Sequence, residues 1–291
     1  MENSLKVQTS DKFAVQHTAS LSLFLYPSSL HIFARDKNQS ITAIHSYERV
    51  SWKKLEDILS SDSLTKLDVP AKVYVHEELF TLMPGVFFQQ GKEKEYLQLA
   101  GKLPSSPHFF NTGVDSNNIQ LLSCISEKLH LQFTKRFSEL KFYHGACSFL
   151  SYLFKERFNL IGQEIWVNIH DSQCYLAGFT DQELSVFNQF EVSSKEDVLK
   201  YVMILMETLQ HDRNHARVTL FGANSANEIT EEWGKNYFTN FRLLRPHANQ
   251  NYGPGLSLDK SPAIFDYMIL PKNNYVYTEY YLNRQNFLLM V

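Results

Sequence analysis

The sequence predicts an α/β fold in which one strand–strand–strand–helix–strand unit is used twice. Three observations carry this: period-2 alternation that recurs at a fixed spacing, an amphipathic helix after each recurrence, and a composition able to fill a core. Leu21, Leu23 and Leu25 alternate with polar or outward positions, and Ile165, Val167 and Ile169 do the same 144 residues later. A half-buried strand sends alternate side chains to one face, which gives this pattern. The chain has 291 residues, 44% hydrophobic and 20% charged. Such a balance favours a packed core over disorder. At roughly 100–200 residues per domain the length suits one large domain or two modest ones.

The elements match in order. After the first strand of each copy, Leu30, Ile32 and Ala34 correspond to Cys174, Leu176 and Gly178, again at a spacing of 144. One residue is then lost, and Ile41, Ala43, Ile44, Tyr47 and Glu48 correspond to Leu184, Val186, Phe187, Phe190 and Glu191. The intervening Pro27-Ser28-Ser29, Lys37-Asn38-Gln39, Asp171-Ser172-Gln173 and Thr180-Asp181-Gln182 are short polar segments of hairpin length. Each copy therefore begins as a three-stranded antiparallel meander. Ser51 and Ser194 stand where a helix N-cap belongs, and Ser194-x-x-Asp197 resembles a capping box. Val198, Tyr201, Val202, Leu205, Met206 and Leu209 then form a core-facing stripe, as do Trp52, Leu55, Ile58 and Leu59 in a shorter helix. A fourth strand follows at Val73-Tyr74-Val75 and at Val218-Thr219-Leu220-Phe221. A helix between two strands of one sheet fits a crossover connection.

Further on, Phe137, Leu140, Phe142 and Tyr143 correspond to Phe238, Phe241, Leu243 and Leu244, now at a spacing of 101. The drop from 144 to 101 places 43 extra residues in the first copy, between Glu77 and about Cys124. This segment holds Pro84-Gly85, Gly91, Gly101, Pro104, Pro107 and Gly113, and reads as an inserted subdomain with a helix near Lys92 to Leu99 and long loops. The expected division is a first half over 19–158 with the insert at about 77–124, a second half over 159–270, and a Tyr-rich tail over 271–291. That tail either packs on the body or serves as a partner-binding segment.

Composition excludes several classes. The 28 basic and 31 acidic residues are mixed and sum to −3, so no basic stripe supports nucleic-acid binding. Lys135-Arg136 and Lys141 read as a solvated face. The three cysteines, Cys124, Cys147 and Cys174, are odd in number and lack C-x-x-C spacing, which argues against a disulfide framework or a structural zinc site. Cys174 is expected to be a small buried hydrophobe. The N-terminal residues carry no apolar signal region and no stretch reaches the length of a membrane span, so a cytoplasmic protein without membrane insertion is expected.

Three strands, helix, strand, helix, strand, helix, used twice, resembles the actin-like (ribonuclease H-like) ATPase fold of actin, sugar kinases, heat-shock chaperones and the pilus-assembly actin-like proteins. From about Ala19 to about Tyr267 the chain also looks like a Bacteroidetes family known as domain of unknown function 3822. That resemblance rests on Leu23 to Tyr47, Phe80-Thr81-Leu82-Met83-Pro84, Tyr143-His144-Gly145-Ala146-Cys147-Ser148, and Val167 to Glu191. The family implies no activity, so no functional residue is carried over from it.

The actin-like nucleotide site needs hairpin turns with glycines and an acid, so that backbone N–H groups meet phosphates and carboxylates hold Mg²⁺. Here the first turn, Tyr26-Pro27-Ser28-Ser29, has neither, and Pro27 lacks an N–H. The second, His170-Asp171-Ser172-Gln173, offers Asp171 but no glycine, and the turn Phe221-Gly222-Ala223-Asn224 offers Gly222 alone. Asp171 and Gly222 are thus the candidates for a vestigial ATP/Mg²⁺ cleft, each with an ordinary turn role as the competing reading. His211 and His215 have helical metal-pair spacing but are expected to be solvated or capping groups near a helix end. Glu77-Glu78 and Glu231-Glu232 are expected to be surface charge. Tyr143-His144-Gly145-Ala146-Cys147 suggests a Cys/His nucleophile. The competing reading is a strand ending at Tyr143, a Gly turn, and a helix from about Ala146 to Phe158. No phosphate loop and no G-x-G-x-x-G occurs. The expectation is a non-catalytic pseudo-ATPase module that binds a protein partner, with a nucleotide-dependent ATPase or switch as the alternative.

Overall fold

The alternating run around Leu23 becomes a central strand in the computed structural model, which describes residues 5–115, 118–170, 172–222, 229–244 and 251–256, the side chain of Trp52 apart. Asp171, the Ala223-Asn224 end of the Gly222 turn and the 271–291 tail lie outside the described residues. The first run of elements is β1 (Leu5–Thr9), β2 (Ser20–Leu25), β3 (Ser29–Arg35), β4 (Ser40–Glu48), α1 (Trp52–Ser61), β5 (Ala71–Val75), β6 (Phe80–Pro84), α2 (Glu93–Ala100), β7 (Pro107–Val114), β8 (Ile119–Ser126), α3 (Glu127–Thr134), β9 (Leu140–His144) and α4 (Ala146–Glu156). The second is β10 (Gln163–His170), β11 (Gln173–Thr180), β12 (Glu183–Glu191), α5 (Lys195–Thr208), β13 (Arg217–Gly222), α6 (Glu231–Lys235) and β14 (Asn240–Leu243), followed by β15 (Asn251–Tyr252). Contacts divide the chain into two compact units after Cys147, with the 251–256 stretch rejoining the first.

Apart from β1 and β15, the main sheets of the two units repeat each other strand for strand. The first sheet has the order β1-β4-β3-β2-β5-β9, with β15 also on β4, and the second has β12-β11-β10-β13-β14. In each, the first three strands of the unit are antiparallel and the later ones are added in parallel. Leu21 faces Ala71 and Ala71 faces Leu140. In the other unit Ile165 faces Val218 and Val218 faces Phe241. The second hairpin carries the same irregularity in both sheets. The register slips between Ala34 and Arg35 in one sheet and between Gly178 and Phe179 in the other, leaving Thr42 and Ser185 as the extra residues of matching bulges. Even the bond from just past the third strand back to the first hairpin turn recurs, from Val50 N to Ser28 O at 2.8 Å and from Val192 N to Ser172 O at 2.7 Å.

The inward faces explain why the pattern is kept. Leu21, Leu23, Leu25, Leu30 and Ile32 pack with Leu55, Ile58 and Leu59 of α1 and with Leu129 and Phe133 of α3. Ile165, Val167, Ile169, Cys174 and Leu176 pack with Val198, Val202, Leu205 and Met206 of α5. Each such side chain contributes roughly 1.5–3 kcal/mol by leaving water. The expectation of a single buried face is corrected: Phe24, Phe33, Trp166 and Tyr175 on the opposite faces are buried as well, so these central strands are covered on both sides. All three cysteines are buried, Cys174 within the second core.

The insert differs from its expectation. Its helix is present as α2, but the expected long loops are mostly a three-stranded antiparallel sheet, β6-β8-β7. The prolines that suggested loops sit where a sheet tolerates them: Pro84 ends β6 and Pro107 begins β7, both edge strands. Leu97, Leu122 and Cys124 form a small core of its own, with Leu79, Met83 and Leu103 against it. Among the described residues no helix is long and apolar enough to cross a membrane.

Candidate functional site

Strands β2, β5 and β9 are parallel neighbours, and their carboxyl ends stop together at Leu25, Val75 and His144. Open α/β sheets gather ligands at this edge, because the loops leaving the strands converge there. The backbone stays tied just past the strands: His76 N donates to Leu25 O at 2.9 Å, and Gly145 N donates to Val75 O at 2.8 Å. The Tyr26 ring stacks on His76, centroids 4.1 Å apart and planes 19° from parallel. Gly145 makes room for that pair, since a Cβ there would lie 2.2 Å from the His76 ring.

His144 is buried, with Nε2 2.8 Å from the Glu77 carbonyl and Nδ1 3.2 Å from Ala146 N. A backbone N–H can only donate, so Nδ1 accepts and the network assigns the proton to Nε2. Burial drives the imidazole pKa down to about 3; the Glu77 carbonyl opposes this and His76 adds to it. His144 is therefore neutral with both nitrogens engaged, and has no free lone pair to activate a thiol. Cys147 is itself buried. The 143–147 segment is thus the end of β9, a glycine turn and the start of α4.

Beside this edge opens a groove of about 680 Å³. The body contributes Pro27, Val50, Ser51, His76 and Glu77, and the insert contributes Leu79, Lys102, Leu103 and Cys124. The expectation that both Glu77 and Glu78 are plain surface charge is corrected here: Glu78 is exposed, but Glu77 is half-buried. Burial, and then the charge of Glu78, push the Glu77 carboxyl above its ordinary pKa. Burial together with Glu77 pushes the Cys124 thiol up to about 11, so it is not a thiolate nucleophile. Sequence reasoning missed this groove; its only signal was Glu77 standing at the boundary where the repeat breaks.

The first hairpin turn does not fit a nucleotide phosphate. Tyr26 N is spent on Ser29 O at 2.9 Å, and Pro27 has no N–H to give. The charged side chains in the groove are Glu77, Glu78 and Lys102, and two acids against one base repel a polyphosphate. Gly222 ends β13 opposite Ile169 with φ +111°; a Cβ would sit 2.2 Å from Ile169 O and 2.7 Å from its N. Close packing of β13 on β10 thus accounts for this glycine.

The structure separates His211 from His215. His211 is buried, against expectation, with Nε2 3.2 Å from Thr180 Oγ1, while exposed His215 pairs with Asp212 at 2.8 Å. Glu231 is exposed and pairs with Lys235 at 3.1 Å.

A family model described as protein of unknown function (DUF3822) matches residues 13–241. No curated protein matches the chain. A solved protein of Bacteroides thetaiotaomicron VPI-5482, described as having an actin-like ATPase fold and unknown function, is 14% identical with a TM-score of 0.72; the match covers 81% of this chain and 94% of that one. A chain of the PilM-PilN type IV pilus biogenesis complex is 11% identical with a TM-score of 0.54, covering 87% of this chain and 96% of that one. Identities this low show the fold, and the fold is that of the actin-like ATPases.

Proposed function

The chain belongs to the family described as protein of unknown function (DUF3822), and from that premise we propose that it is a non-catalytic actin-like module binding a protein partner in the groove between its insert and the first sheet. The observation that carries this reading is the half-buried Glu77 in a groove whose lining mixes apolar side chains such as Val50, Leu79 and Leu103 with the charged Glu78 and Lys102. A partly desolvated carboxylate gains when a cation or hydrogen-bond donor reaches it. The fitting occupant is an extended segment with apolar side chains and a Lys or Arg placed to meet Glu77. The insert, about 77–124, interrupts a repeat that folds without it in the other copy, and additions to a rigid scaffold commonly carry recognition. We take 19–158 and 159–270 as the two functional halves. The PilM-PilN complex offers a precedent for this fold in a protein assembly.

The test is capture from native lysate by the full chain, with two variants. Ser51→Trp fills the groove from an exposed position, and Leu99→Asp changes an exposed side chain outside the groove lining. The expected result is a partner retained by wild type and by Leu99→Asp, and reduced at least about tenfold, or about 1.4 kcal/mol, by Ser51→Trp. Phosphate release from Mg·ATP is expected to stay at background. Equal capture by Ser51→Trp, or turnover above background, overturns the proposal.

A further inference from the structure

We propose that His108, Glu127 and His130 form a binding site for one divalent transition-metal ion of the zinc class. The site arises from how β8 runs into α3. Ser126 ends β8 and caps α3 by accepting from Leu129 N at 3.3 Å, so Glu127 lies in the first turn and His130 follows three residues later on the same face. The neighbouring strand β7 brings His108 beside them, at the position facing Ile125. The two imidazoles lie 3.6 Å apart between centroids and 14° from parallel. The nearest ligand atoms of all three residues fall within 4.8 Å of one another.

The donor set points to a metal rather than to a hydrogen-bonded cluster. His130 Nδ1 is buried and makes no hydrogen bond among the described residues, and its distance to Glu127 Oε1 is 3.8 Å. That gap is too long for a hydrogen bond. It is close to the roughly 3.3–3.5 Å between ligands of a tetrahedral ion with bonds of about 2.0–2.1 Å. The His108 and His130 rings must turn out of their stack for both in-plane lone pairs to converge on one ion, and the ion then satisfies a nitrogen that otherwise stays unpaired at a cost. Two imidazoles and one carboxylate suit zinc, with the fourth position left to water. Bound there, the ion ties β7 to α3 across the base of the insert. This site shares no residue with the proposed partner groove.

The test is titration of the full chain with Co²⁺, read by its visible absorbance, followed by displacement with Zn²⁺ and by thermal unfolding. Wild type is expected to take up one ion with a tetrahedral band and to gain thermal stability. Glu127→Gln keeps the shape of a half-exposed side chain but removes an acid from the first turn of α3, so its metal-free midpoint should fall only slightly while affinity falls by more than about tenfold. His108→Ala should abolish the band, and His215→Ala should leave it intact. Absence of binding in wild type, or binding that survives both Glu127→Gln and His108→Ala, would overturn the assignment.

Discussion

Asp62, the residue that ends α1, is buried where that helix meets β4. Its Oδ2 lies 2.6 Å from His45 Nδ1 and accepts from the Tyr47 hydroxyl at 2.5 Å, while its Oδ1 accepts from Leu64 N at 2.7 Å. Burial pulls the carboxyl upward, but the His45 and Tyr47 hydrogen bonds, the His45 charge and the Leu64 N–H outweigh it and leave the pKa below the ordinary value. Burial, followed by Asp62, raises the Tyr47 phenol. A carboxyl with a depressed folded pKa binds its proton more tightly in the unfolded chain. It therefore contributes stability that is full above the unfolded value, about pH 4, and is lost as pH falls through the folded one. Asp62→Asn should lower the thermal midpoint at pH 7, and the gap from wild type should narrow below about pH 4. A gap unchanged at pH 3 would show that the carboxylate charge does not matter there. This cluster was not legible in the sequence. His45 and Tyr47 are 17 and 15 residues from Asp62, and only folding α1 against β4 brings them together.

Helices α1 and α5 occupy the same place in the two repeats, but only one is capped through its side chain. Ser194 Oγ accepts from Asp197 N at 3.2 Å, and Asp197 Oδ2 accepts from Ser194 N at 3.1 Å. Ser51 stands at the N-cap of α1 without such a bond. Replacing Ser194 by Ala should cost about 1 kcal/mol in urea unfolding, and replacing Ser51 by Ala much less. Equal losses would mean that the two caps work alike. At this scale most of the repeat was readable, because alternation and stripe spacing report directly on which face is buried. The common spacing of Leu23 and Val167 held in the sheets, and the one-residue loss lies in the turn: residues 36–40 separate Arg35 from its partner Ile41, and residues 180–183 separate Phe179 from its partner Leu184, while the bulges at Thr42 and Ser185 are common to both copies. The insert's strands were not readable, because Pro84 and Pro107 mark strand ends with the same residues that mark loops.

Across the whole molecule, one unit order serves twice, and the first copy differs by an added sheet and helix. The fold was legible because burial leaves a periodic trace. The groove was not, since its lining comes from segments as distant as Pro27, Glu77 and Lys102, with no shared spacing. Of the two residues singled out for a nucleotide cleft, Gly222 is accounted for by the backbone of Ile169, and Asp171 lies outside the described residues. The central claim is that partner binding, rather than phosphoryl transfer, uses the edge where the insert meets the first sheet. Backbone hydrogen exchange of the full chain, alone and in its captured complex, tests that claim most directly. Protection should rise at 76–79 and 102–104 without added nucleotide. Protection unchanged in both segments, or a complex that forms only with Mg·ATP, would contradict it.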